Sequence, residues 1–263
     1  MSISCGKEID MDIFKKILKI ADVEKNRSLS DECLEIIKRF GELGITVKGS
    51  NKIKIESLKS IYFCIKKLYD LYPEIDIGFL RTLNVMDEKN YVKERGQTIA
   101  STSFIESKVL GYGFYNISTG LELMINSDLF DDLDLLNSNL KIINETNQKI
   151  DFVISHEFGH IIDIFWSLKE MDWRNQKYIT AQTISNFLNN LNFSDCIVER
   201  AFLKRYKQYE IDINDIVKEI GINAINDKQE IFAESIALGY CNINSPLSLT
   251  IIKEYNKEIG KDN

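Results

Sequence analysis

The chain holds two histidines, His156 and His160, four residues apart, with Glu157 directly after the first. The segment reads His156-Glu157-Phe158-Gly159-His160. Residues four apart share one face of a helix, so both imidazoles can reach a single metal ion. The glutamate between them can take a proton from a water held on that metal. At about 100° per residue, Ile154, Phe158, Ile161 and Phe165 cluster on one side of such a helix. His156, His160 and Asp163 fall on roughly the opposite side. The helix is therefore expected to bury an apolar stripe and to turn its histidines toward a cleft.

A catalytic zinc site uses three protein ligands and keeps one position for water. There is no third histidine, so the remaining ligand must be a carboxylate or a cysteine. The slot shortly after the second histidine that serves some zinc enzymes is Trp166, which cannot ligate. A glutamate about twenty residues downstream would fall within Ile179 to Ser185, where no acid stands. The segment Glu230-Ile231-Phe232-Ala233-Glu234-Ser235-Ile236-Ala237 is the best remaining place. Glu230 and Glu234 share a helical face beside apolar neighbours, and carboxylates on a buried helix need a reason. A metal and a histidine N–H each provide one.

The elements that must position these residues can be outlined from pattern. Helical periodicity marks Ile9 to Ile20, Glu32 to Phe40 with Ser30-Asp31 as cap, and Glu56 to Tyr72 ending at Pro73. The middle reads as short strands of one sheet: Ile75 to Ile77, Thr98 to Phe104, Tyr112 to Ile117, and Leu121 to Ile125. Gly111, Gly113 and Gly120 mark turns or close backbone approach. Helices return at Lys149 to Leu168, Thr180 to Leu191, Cys196 to Tyr209, Asn214 to Glu219, Asp227 to Tyr240 and Leu247 to Ile259.

Bulk properties exclude several classes. At 263 residues with net charge −7 and pI near 5.1, the chain lacks the basic surface that nucleic acid requires. The cysteines Cys5, Cys33, Cys64, Cys196 and Cys241 are odd in number and contain no Cys-x-x-Cys pair. Neither a disulfide framework nor a cysteine zinc knuckle is expected. The start, Met1 to Glu8, lacks a signal-peptide build, and no apolar run reaches membrane-span length. A cytoplasmic protein is expected, or one released without an N-terminal signal. The acidic stretch Asp128, Asp131, Asp132 and Asp134 reads as a solvated loop or helix start, since it lacks a calcium-loop pattern.

His156-Glu157-Phe158-Gly159-His160 followed by Glu230-Ile231-Phe232-Ala233-Glu234 resembles the catalytic domain of the anthrax-lethal-factor-like zinc metallopeptidases, a group within the zincins that includes toxin-associated domains. The resemblance covers roughly Leu121 to Tyr240 and is carried by these two motifs. It implies an α+β, zincin-like fold: a small mixed sheet, an edge strand over the active-site helix, and a helical C-terminal subdomain. Residues 1–45 would form an N-terminal helical extension and 46–263 the peptidase domain. It further implies His156, His160 and Glu230 as ligands of Zn2+, Glu157 as the catalytic base, and Glu234 and Asp163 as outer acids that orient the imidazoles. Leu121 to Asn126 resembles the edge strand that would pair with an extended protein or peptide substrate. Where the group carries an oxyanion-steadying tyrosine, seven residues before the ligand glutamate, this chain has Asn223. Its amide can donate a hydrogen bond, and Tyr240 is the other candidate for that role. The expected activity is endopeptidase hydrolysis. The alternatives are a catalytically weak or inactive zincin-like binding module, or an intracellular peptidase that cuts a regulator of a mobile element.

Overall fold

The structure, a computed structural model, describes residues 29–95, 100–111, 114–131, 146–170, 193–221, 224 and 227–261. The expected helices Ile9 to Ile20 and Thr180 to Leu191 lie outside them, as does Asn223. The architecture is α+β: a small four-stranded sheet with helices forming most of the rest.

Helix α1 (Asp31–Glu42) starts where Ser30 Oγ accepts the amide of Cys33 at 3.2 Å, as its sequence cap predicts. It buries Cys33, Ile36 and Phe40, and Phe40 meets Tyr62 of α2 (Ile55–Leu71) edge-on at 5.3 Å. The core therefore runs unbroken through the expected boundary at residues 45 and 46, and Ile45 is itself buried in it. Asp131 caps α2, accepting the Lys54 amide and the Ser57 hydroxyl at 2.8 Å each. Asp128 accepts the Glu88 amide at the start of α3 (Glu88–Arg95). Asp128 and Asp131, the acids of that stretch within the described residues, thus serve helix starts.

The sheet has the order β1-β2-β4-β3, where β1 is Thr46–Lys48, β2 Leu80–Met86, β3 Ala100–Gly111 and β4 Phe114–Asn126. β1, β2 and β4 run parallel, and β3 runs antiparallel to β4. This mixed sheet corrects the sequence reading in three places. Ile75 to Ile77 is not a strand: Ile75 is buried in a turn closed by its amide on the Tyr72 carbonyl. The strand lies just beyond, at β2, where Leu80, Leu83 and Val85 are buried. From Phe114 onward, the two expected strands that end at Ile117 and Ile125 are one strand, continuous through Gly120, and residues 112–113 lie outside the described residues. Gly120 marks a close approach, because the Arg81 side chain lies where its Cβ would stand. Lastly, Leu121 to Asn126 is not an edge. It lies between β2 and β3, and the edge strands are β1 and β3, of which β3 packs on the histidine helix.

Against this sheet packs α5 (Thr146–Glu170), which carries the histidine motif. Ile154, Phe158, Ile161 and Phe165 are buried as their period predicts. Phe158 meets Tyr69 of α2 edge-on, and Phe165 meets Phe79 just before β2. Around it lie α6 (Phe193–Tyr206), α7 (Ile213–Glu219), α8 (Lys228–Tyr240) and α9 (Pro246–Glu258). Aromatic contacts join them: Phe193 of α6, Phe232 of α8 and Tyr255 of α9 meet pairwise within 6.4 Å. None of the described helices is long and apolar enough to cross a membrane.

Candidate metal centre

The two halves of the site come from α5 and α8, and local chemistry sets where α8 begins. Asp227 accepts the Glu230 amide at 2.8 Å, so the helix starts there and Glu230 sits in its first turn. One turn later on the same face comes Glu234. The crossing of the two helices depends on Gly159. A Cβ at that position would stand 2.6 Å from the Ala233 Cα and 3.1 Å from its Cβ. Two small residues therefore let the backbones meet, which brings both glutamates within reach of the histidines.

Gly159→Ala tests this close approach. Alanine favours a helix over glycine by about 1 kcal/mol. Here the added methyl meets backbone, and overpacking of this kind costs about 1–3 kcal/mol. A net loss of stability in denaturant unfolding is expected, together with weaker metal binding as Glu230 is displaced. A gain in stability would show the helices are not in contact at this point.

Three donor groups converge at the crossing. His156 Nε2 and His160 Nε2 are 3.2 Å apart. Glu230 reaches both rings, Oε2 lying 3.3 Å from His156 Nε2 and Oε1 lying 3.4 Å from His160 Nε2. The three groups offer ligand atoms all within 4.8 Å of one another and can hold a metal ion. The far nitrogen of His156, Nδ1, lies 2.8 Å from Glu234 Oε2. A proton donated from Nδ1 to that carboxylate leaves the Nε2 lone pair facing the shared point. Glu234 is buried, whereas the rings and Glu230 keep some exposure, 15%, 18% and 28% of their side chains. An ion and a small ligand can therefore reach this centre from solvent.

The electrostatics agree with a cation site. Burial pushes the Glu230 carboxyl up, but hydrogen bonds from His156 and His160 outweigh it and hold the group well below the usual carboxylate range. Burial likewise works against a charged His156, yet Glu230 and Glu234 hold its imidazole well above the usual value. Carboxylates that favour a proton on His156 favour a divalent cation at the same place, so proton and metal compete.

Glu157 is buried beside this cluster and was legible from the motif. Its partner was not. Thr102 of β3 donates to Glu157 Oε2 at 2.8 Å and lies 3.3 Å from the Glu157 carbonyl oxygen. No spacing rule links residues 102 and 157, because the contact is made by sheet packing on helix.

Asp163 is buried on the histidine face of α5, as its position predicts, but the hydrogen bond described for it serves another helix. Its Oδ1 accepts the Ser194 amide at 2.7 Å, and one turn on Ser167 Oγ accepts the Phe193 amide at 2.9 Å. The two side chains cap the start of α6. The charge of His160 also acts on Asp163, though less than burial and the Ser194 contacts do. Burial raises the Asp163 carboxyl from 3.8 to about 6, against the pull of the Ser194 amide. The folded state thus holds this proton more tightly than the unfolded chain. Stability from this group is full below pH 4 and falls by up to about 3 kcal/mol as pH rises through 6. Asp163→Asn keeps an acceptor for Ser194, so its unfolding free energy should lose that slope between pH 4 and 6. An unchanged slope would place the titrating group elsewhere.

Tyr240 corrects the sequence reading. It ends α8, ten residues beyond Glu230 and thus about 15 Å along the axis. Its ring lies under Lys67 Nζ at 4.5 Å. It faces α2, at the opposite end of α8 from Glu230.

No protein-family model, curated protein or solved structure matches this chain.

Proposed function

We propose that this protein is a zinc-dependent endopeptidase. One observation carries the reading: the spacing of the three donors. A tetrahedral Zn2+ with ligands at about 2.0–2.1 Å sets donor atoms about 3.3 Å apart. His156 Nε2 and His160 Nε2 are 3.2 Å apart, and each faces its own Glu230 oxygen, Oε2 at 3.3 Å and Oε1 at 3.4 Å, so the carboxylate sits across from both rings at about that spacing. Two imidazoles and one carboxylate suit zinc, and three protein ligands leave a position open. Zn2+ held there would polarise a peptide carbonyl and make a coordinated water more acidic.

The chain's own residues then divide the work. His156, His160 and Glu230 bind the ion. Glu234 fixes the tautomer and tilt of His156. Glu157 accepts a proton from the attacking water and passes it to the leaving amine. The edge strand β3, whose Thr102 touches Glu157, is the place for an extended peptide to add a strand. The likeness of the two motifs to the anthrax-lethal-factor-like peptidases supports the same assignment of roles.

A second reading is a zinc-bearing binding module with weak turnover or none. It is favoured by the placement of Tyr240, which stands at the far end of α8 from Glu230 with its ring under Lys67 Nζ. Metal content and a peptide-library digest with a chelator control separate the two. Stoichiometric zinc with chelator-sensitive cleavage supports the peptidase. Zinc without cleavage supports the module, and purified protein that takes up no zinc removes both.

A further inference from the structure

We propose that Thr102 is a positioning residue for Glu157, holding one carboxylate oxygen from the edge strand and leaving the other to accept the proton. The proposal deepens the peptidase reading and rests on it for its kinetic consequence. Two observations lead there. The Thr102 hydroxyl is within hydrogen-bond distance of two acceptors on one residue, the Glu157 carboxylate at 2.8 Å and the Glu157 carbonyl at 3.3 Å. A hydroxyl has a single proton, and the nearer, charged oxygen takes it. Glu157 is buried, so its carboxylate needs such a donor to stay in one place.

Thr102 itself is held on a fixed base. It pairs with Leu123 in the β3–β4 ladder, and Leu123 is buried in the core beneath. A β-branched side chain has few rotamers, so the position of Oγ1 follows the strand. The other long edge of β3 carries no strand among the described residues. A peptide pairing there would lie on the same strand that sets the carboxylate. Thr102 thereby ties the placing of substrate to the placing of the base.

The test compares wild type, Thr102→Val and Thr102→Ser, each with measured zinc stoichiometry, kinetics on a library-derived peptide, and crystal structures with and without zinc. Valine keeps the shape and removes the donor. Its kcat is expected to fall roughly 10- to 100-fold, the cost of a misplaced group, while KM and zinc content stay unchanged. Serine keeps the donor and should restore most of the rate. In the valine crystals the Glu157 carboxylate should leave its position or take several rotamers, and in the serine crystals it should not.

Wild-type kcat in the valine variant, an unmoved carboxylate, or failure of serine to restore the rate would each overturn the proposal. If wild type cleaves nothing, the peptidase reading fails, and the position of the carboxylate in the crystals still decides the role of Thr102. Should the valine chain not fold, Thr102→Ala set against Thr102→Ser makes the same comparison.

Discussion

Glu157→Gln should leave zinc content unchanged and lower kcat by roughly a thousandfold, within the 10²–10⁴ that a positioned base contributes. The substitution is close to isosteric, which matters because Glu157 is buried. Its amide oxygen can still accept from Thr102, so the contact to the edge strand at 2.8 Å persists. What is lost is the capacity to take a proton. The proposed ligands His156, His160 and Glu230 are untouched, so metal titration should match wild type. The readouts are kcat for the library-derived peptide, zinc per chain, and the melting temperature. Full turnover in a glutamine variant free of wild-type contamination would sink the mechanism, whatever the metal content.

Glu230→Ala carries the second large effect and decides the third ligand. The carboxylate bridges both rings, at 3.3 and 3.4 Å, from the first turn of α8. Without it two imidazoles remain, too few to close a zinc site. Zinc affinity should fall by more than about a thousandfold, well past the 10–100-fold typical of an outer partner. Glu234→Ala supplies that comparison in the same protein. It removes the acceptor 2.8 Å from His156 Nδ1 and should weaken zinc by only 10–100-fold. Calorimetric zinc titration of the two variants orders them. If Glu234→Ala loses more than Glu230→Ala, the roles of ligand and support are reversed. Near-wild-type affinity in Glu230→Ala would mean another group completes the site.

The parts of the molecule legible beforehand share one physical property: they rest on local geometry. The four-residue step of His156 and His160, the buried stripe of Ile154, Phe158, Ile161 and Phe165, and the cap at Ser30 follow from helix period and nearby backbone groups. The i, i+4 pair Glu230 and Glu234 belongs to the same class, and the structure brings both to His156. β2 was missed because its pattern is broken. Arg81 and Asn84 interrupt the apolar residues, and the pairing with β4 shifts register between Leu80 and Thr82. Gly120 could mark a turn or a close approach, and its place inside β4 makes it the second. A glycine inside a strand resembles a turn until the Arg81 side chain that occupies its missing Cβ is seen.

The chemistry proposed for this chain rests on residue type and short spacing: two imidazoles, an acid between them, and a pair of acids on one later helical face. Tertiary structure decided what those acids meet and who their neighbours are. The Gly159–Ala233 crossing brings Glu230 to the rings. The sheet order makes β3 one of two edges, and packing sets its Thr102 against Glu157. The start of α6 draws Asp163 to Ser194, and the far end of α8 sends Tyr240 to Lys67. The physical reason is range. A helical turn repeats every few residues and shows itself in any short window. A contact between residues 102 and 157 depends instead on how a strand and a helix share one core, which no local pattern records.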